Sequence, residues 1–241
     1  MKAKGIDVNQ LASSILSGTC LEHNKIKDIS AEFLKDYLLL LDNFLNAPWI
    51  IVRFIQILDG MNEYSYAFIL FKKLYHFNMV LEKKFWITSN SIEYKHVFMG
   101  DYYNIEEAWS IIKTNAIKHF PEEVVLFAFE KINDLHQKYV MAGQASKDIE
   151  PYEMSMLVIE EREENYRDNP IEILSKIVVQ TSIAIKEKKQ EFLRTTLIRW
   201  ANSESELLKK ISLKTIRETE IFNTSEQLDL LLGSLFSESR G

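Results

Sequence analysis

Apolar positions in this chain recur mostly every three or four residues, the spacing of one face of a helix. Phe33, Tyr37, Leu40, Leu41 and Phe44 share such a face behind Ser30, while Lys35, Asp36, Asp42 and Asn43 fall mostly elsewhere. Pro48 suits the first turn of a following helix, Trp49 to Leu58, apolar almost all round and stopped by Gly60. Residues Glu63 to Leu81 read as one aromatic-rich helix carrying Tyr64, Phe68, Phe71, Tyr75 and Val80. The stretch "KKFWITSNSIEYKHVFMGDYY" has no helical period and reads as a loop with a short extended piece at Trp86 to Thr88.

Start and stop signals sharpen several of these elements. Asp7 caps a short helix from Val8 to Leu16, with Gly18 beyond it. Asn104 and Glu107 have capping-box spacing, with Ala108, Ile111, Ile112 and Ala116 behind them on one face. Pro121 opens the next helix, with Glu122 and Glu123 at its positive end, Met141 as its last residue and Gly143 as its stop. Pro151 begins another helix containing "MSMLVI". Asn169 and Glu172 repeat the capping-box spacing ahead of Ile171, Leu174, Val178, Thr181 and Ile185. That seam fades at Lys188 and returns at Phe192, and the expectation is one long helix over about 170–200. "SESELLKKISLKTIRETEIF" is amphipathic, and Thr224 with Gln227 forms a third capping pair before a short terminal helix over 225–232. The expected architecture is all-α, a multi-helix bundle of roughly eight to ten helices. A compact helical body at 1–145 precedes a C-terminal helical segment at 146–241.

Composition supports helices over strands. Seven Gly and four Pro leave little turn-forming material, and 46% hydrophobic residues suffice for a core. The net charge is 29 − 35 = −6. The densest cationic run, Lys186 to Lys189, contains Glu187, so the pattern argues against nucleic acid and anionic membrane surfaces as partners. Cys20 is the single cysteine, which excludes an intrachain disulfide and fits a reducing compartment. The run "LASSIL" is too short for a secretion signal, and "WIIVRFIQIL" covers half a bilayer at most, so the expected location is the cytoplasm with no membrane span.

Catalytic signatures are absent: there is no Gly-rich phosphate loop, G-x-S-x-G, H-E-x-x-H or C-x-x-C. His23, His76, His96, His119 and His136 are never three or four residues apart, so no helix face pairs two of them. The expectation is no catalytic residue, no metal site and no cofactor. Adjacent carboxylates at Glu106/Glu107 and Glu122/Glu123 point in different directions, and the run Glu160, Glu161, Glu163 and Glu164 reads as a wet helical face.

One stretch carries a resemblance. Glu106, Glu107, Ala108, Ile111, Ile112, Lys113, His119, Phe120, Pro121, Glu123, Val124 and Val125 follow the pattern "EEA-x-x-II-K", "HF", "P-E-VV-x-x-F". This resembles the C-terminal part of HD-GYP domains, the helical phosphodiesterases of cyclic dinucleotides. "WITSN-SIEYKHVF", from Trp86 to Phe98, is loosely similar to that family's "ALTS" segment. Pro121 stands one place earlier than the family pattern, and the similarity covers about 45 residues. The family's HD dipeptide, paired His motif and GYP signature are missing, and Glu82 and Phe85 stand where its Asp precedes "ALTS". The resemblance therefore implies an HD-type helical shell without the di-metal enzyme, and leaves His119 as a locally hydrogen-bonded helix-end histidine.

The tail "SEQLDLLLGSLF" is similar to the acidic, leucine-rich helices by which flagellar-switch and chemotaxis proteins hold receiver domains. Leu228, Leu231, Leu232 and Phe236 are the candidate partner-binding residues, with Glu226 and Asp229 outside. The competing expectation is a last helix folded onto its own core. The sequence reading favours a non-catalytic regulatory or adaptor protein with a protein partner, of a signalling or receiver type. Its rivals are a divergent metal-dependent phosphohydrolase, a small-ligand or cyclic-nucleotide sensor using the aromatic helix, and a structural protein whose 171–200 seam makes a homodimer.

Overall fold

The computed structural model describes residues 48–85, 90–146 and 169–236. The expected helices at 8–16, 30–44 and from Pro151, the extended piece at Trp86 to Thr88, and Cys20 lie outside the described residues. The described chain forms an all-α architecture with one small hairpin. In order it comprises α1 (Pro48–Gly60), α2 (Tyr64–Leu74), β1 (Phe77–Phe85), β2 (Asn90–Phe98), α3 (Tyr102–His119) and α4 (Pro121–Met141). These are followed by α5 (Pro170–Ile185), α6 (Gln190–Ala201), α7 (Glu206–Thr219) and α8 (Thr224–Phe236).

The first three helices pack on one another because each hides a continuous apolar face. Ile51, Phe54, Ile55 and Leu58 of α1 meet Ala67, Phe68, Phe71 and Leu74 of α2 and Ile105, Ala108, Trp109 and Ile112 of α3 in the same core. Polar ties fix the register: Asn115 Nδ2 of α3 donates to both carboxylate oxygens of Asp59, at 3.0 and 3.1 Å. Asn62, in the left-handed region at φ 62°, turns the chain from α1 into α2.

The aromatic helix is shorter than its composition suggests. α2 ends at Leu74, not Leu81, and the chain enters β1 at Phe77. From Phe77 the side chains alternate, with Phe77 and Met79 turned toward the core and Asn78 and Val80 toward solvent. That period-two pattern fits a strand better than a helix once a partner strand is available. β2 supplies it in antiparallel register, with Phe77 opposite Phe98, Met79 opposite His96 and Leu81 opposite Tyr94. The loop expected over much of 90–98 is therefore a strand. Met99 N donates to His76 O at 2.7 Å and Gly100 N to Leu74 O at 2.9 Å, closing the hairpin's base.

α3 is capped one turn earlier than Asn104. Asp101 is extended and its side chain accepts from Asn104 N at 2.8 Å, so Tyr102 and Tyr103 belong to the helix. α4 runs as the punctuation indicates, from Pro121 to Met141, with Gly143 at φ +71° ending it. Its buried face, from Val124 and Val125 through Phe129 and Ile132 to Leu135 and Tyr139, packs most extensively against α5. The core is thus continuous from Ile50 to Phe222, across the boundary near residue 145.

The long helix at 170–200 is two helices. Asn169 caps α5 through Ile171 N at 3.0 Å, and α5 stops at Ile185, whose carbonyl accepts from both Lys188 N and Lys189 N at 2.9 Å. Lys186 to Lys189 have no large apolar group to bury, whereas Leu193, Leu197 and Trp200 do. A turn at the lysines redirects α6 so that those residues reach the core beside α7. The seam expected to join two copies, Ile171, Leu174, Val178, Thr181 and Ile185, is consumed inside the monomer.

Gly100 sits where hairpin, α2 and α3 converge. A Cβ there would lie 2.9 Å from Ile105 Cγ1 and 3.2 Å from Leu74 Cβ. Gly100→Ala is expected to destabilise the fold by about 1–3 kcal/mol, measured as a lowered denaturant midpoint; an unchanged midpoint contradicts this packing.

Candidate functional site

The site singled out by sequence lies on α8, and its foundation is a set of polar clamps at the helix start. Glu220, left-handed at φ 55°, ends α7 and redirects the chain. Phe222 then turns inward and is buried under the Arg194 guanidinium, 4.4 Å from its ring centre. Asn223 is the cap: Glu226 N donates to Asn223 Oδ1 at 2.9 Å, and Asn223 N donates to Glu226 Oε2 at 2.8 Å. This reciprocal pair is a capping box one residue earlier than Thr224 and Gln227. Gln227 serves the same junction differently, its Nε2 donating to Phe222 O at 2.9 Å.

Arg194 of α6 explains the shift. Its Nη2 donates to Glu226 Oε1 at 2.5 Å and its Nη1 to Ile221 O at 2.8 Å. Glu226 thus caps the helix and pairs with a cation from another helix, which a glutamine at 227 could not do. The Arg194 hydrogen bond, helped by the Asn223 N–H, holds the Glu226 carboxyl below its ordinary value; the same bond raises Arg194. Both groups border solvent, so the arrangement fixes direction more than it adds stability. Local spacing gives no hint of Arg194, because its partner lies 32 residues away.

Held this way, α8 rests on the core through half-buried Leu230 and presents Leu228 and Leu232 outward, 52% and 46% exposed. Ser225 and Asp229 are exposed on the same stripe. Two of the four predicted residues, Leu228 and Leu232, therefore stand one turn apart on an open face; the side chains of Leu231 and Phe236 lie outside the described set. The helix folds onto the body and still shows two leucines to solvent. From Thr224 to Phe236 there is no Lys, Arg or His, so the face is apolar with a carboxylate beside it.

The other candidate groups serve packing. Phe68, Phe71, Tyr75, Phe98, Trp109, Phe120 and Phe127 contact one another ring to ring, at centroid distances such as 5.6 Å for Phe71–Trp109 and 5.7 Å for Tyr75–Phe98. Tyr75 is fully buried, which pushes its phenol well above its ordinary value, and its hydroxyl donates to Pro170 O at 3.1 Å, tying α2 to the start of α5. His119 is exposed, and its ring stacks on Tyr64 at 4.9 Å in place of the expected local hydrogen bond. Of the residues carrying the HD-type resemblance, Ala108, Ile112, Val124 and Val125 are core, while Glu106, Glu107 and Glu123 face solvent. Glu123 pairs with Lys72 at 2.6 Å and Glu82 with Lys95 at 3.6 Å. Among the described residues, no three His, Cys, Asp or Glu side chains come together as a metal ion requires. Compared with family models, curated proteins and solved structures, the chain matches none of them.

One buried titratable contact holds the hairpin to α4. His96 N donates to Tyr139 Oη at 3.2 Å, and His96 Nδ1 lies 2.7 Å from the same hydroxyl. Burial, and secondarily the Lys95 charge, lower His96 from its ordinary 6.5 to about 4. His96 is therefore neutral when folded and takes up a proton more readily when unfolded. Its contribution is fully present above pH 6.5 and is lost as the pH falls from about 6.5 toward about 4. Over that window stability is expected to drop by up to about 3 kcal/mol. In His96→Phe the drop should shrink, as read by denaturant unfolding at several pH values; equal slopes in both proteins contradict the assignment. On α8, Asn223→Ala should cost about 1 kcal/mol of helix stability. Faster amide exchange in α8 with unchanged exchange in α4 checks this.

Proposed function

We propose that this chain is a non-catalytic adaptor that presents α8 to a protein partner, in the cytoplasm and in a signalling context such as a receiver domain. The observation that carries the reading is the exposed Leu228/Leu232 pair on a helix clamped by Asn223, Glu226 and Arg194. A helix held in one orientation loses little freedom on docking, so apolar contact converts more fully into affinity. Such a stripe suits a helix-in-groove mode of recognition. Asp229 beside the leucines, with no cation along α8, favours a partner whose apolar groove is bordered by Lys or Arg. Kinship with HD-type helical domains that have lost their metal ligands belongs to the same proposal and rests on the 86–129 pattern alone. No described helix is long and apolar enough to cross a membrane.

The test uses the full chain and the double variant Leu228→Asp/Leu232→Asp, each immobilised and challenged with extract from the source cells. A single protein retained by the native chain and lost by the variant is expected. Re-expressed alone, that protein should bind at least about tenfold more weakly to the variant, and more weakly to both as salt rises. Identical retained proteins for the two chains would end this reading.

A further inference from the structure

The β-hairpin presents a second surface, different in chemistry from α8. Its base packs on the body through Phe77, Met79, His96 and Phe98. Farther out, the same face of the sheet carries Leu81, Ile92 and Tyr94, which are 62%, 70% and 40% exposed. Two strands in isolation are marginally stable in water, and an apolar face on them needs a third strand or a packed neighbour.

The two edges of the hairpin differ. On β2 the outward N–H groups are already engaged: Tyr94 N donates to Gln144 Oε1 at 2.9 Å and His96 N to Tyr139 Oη. Those outward amides identify Leu81–Tyr94 and Met79–His96 as the non-hydrogen-bonded pairs of the ladder. Met79 and Leu81 therefore direct their own N–H and C=O groups away from β2. Among the described residues β1 has β2 as its only strand neighbour. An exposed apolar strand with an open edge is a template for another strand.

We infer that β1 pairs antiparallel with β1 of a second copy of this chain, giving a four-stranded sheet in the order β2–β1–β1–β2 about a two-fold axis at Leu81. The parity is correct for this register, because the residues facing the axis are those whose backbone groups point outward. It aligns Tyr94, Leu81, Leu81 of the second copy and its Tyr94 in one apolar row. Charge selects the same place. Each copy carries −6 overall and repels its twin at long range. The two strands carry Glu82 and Glu93 against Lys83, Lys84 and Lys95, so the hairpin lacks the negative excess of the rest of the chain and is where two copies repel least. On α8 the exposed leucines have only carboxylates beside them, which disfavours self-pairing and reserves that face for a different partner. An isologous contact of this kind closes at two copies.

Sedimentation of the full chain from low micromolar to sub-millimolar concentration tests the inference. A concentration-dependent dimer is expected. Leu81→Pro removes only an outward N–H, a change an edge strand tolerates, and Leu81→Lys places two cations at the axis; each should weaken dimerisation at least about tenfold. Mixing Leu81→Lys with Leu81→Glu chains should restore a heterodimer, which a merely misfolded variant would not do. Leu228→Asp should leave the dimer unchanged. A chain that stays monomeric throughout, or a dimer that survives both Leu81 variants, overturns the inference.

Discussion

The burial of one face of α4 is the constraint on which the rest of this molecule depends. Val124, Val125, Ile132 and Leu135 are buried in the common core, Phe127 contacts the rings of Phe68, Phe71 and Tyr75, Phe129 stacks on Trp200 of α6 at 5.4 Å, and the helix packs most extensively on α5. Near its end, Tyr139 anchors the hairpin. With the α3–α5 contact, this helix of 21 residues joins the described residues before 147 to those from 169 onward. Its start is braced from two sides, by Lys72 on Glu123 and by Lys189 on Glu122, at 2.6 and 2.7 Å. These exposed pairs add little energy, but they place α2 and the α5–α6 turn around one helix end.

Much of this was legible in the sequence because it was local. Pro121 and Gly143 bound α4 where the chain says they should, and Asn169 caps α5 through its own side chain. The signals that misled were those resolved by distant partners. Phe77 to Leu81 carries enough large apolar residues to continue a helix, and only the complementary run at 90–98 makes it a strand. The seam through Ile185 and Phe192 has helical spacing on both sides of Lys186 to Lys189, and the gain from folding Trp200 back is invisible to periodicity. The α8 cap moved by one residue because Arg194 selects Glu226 over Gln227. Of the candidate contact residues, Leu228 and Leu232 were readable as one helical stripe. That the helix would turn them outward follows from Leu230 and Phe222 taking the core side, a choice made by packing.

The two exposed surfaces are complementary in kind. The leucines of α8 sit beside Asp229 on a helix clamped by Asn223, Glu226 and Arg194. The hairpin presents the outward backbone groups of β1 beside the apolar strip of Leu81, Ile92 and Tyr94. Neither draws on the buried aromatic cluster, so a change at either surface can alter association while the core stays intact.

Glu220 gives the arrangement an unexpected dependence. Its left-handed backbone is unfavourable for a residue with a side chain by roughly 1–2 kcal/mol, yet it steers the chain from α7 into the corner at Phe222. A β-branched residue there would resist that twist and let α7 run straight on, gaining 1.5 Å of reach per residue and carrying the leucines away from Arg194. The direction in which α8 leaves the body thus depends on one backbone angle and not on its leucines. Drift toward glycine at this position costs nothing, whereas drift toward valine or isoleucine would relocate the site without touching it.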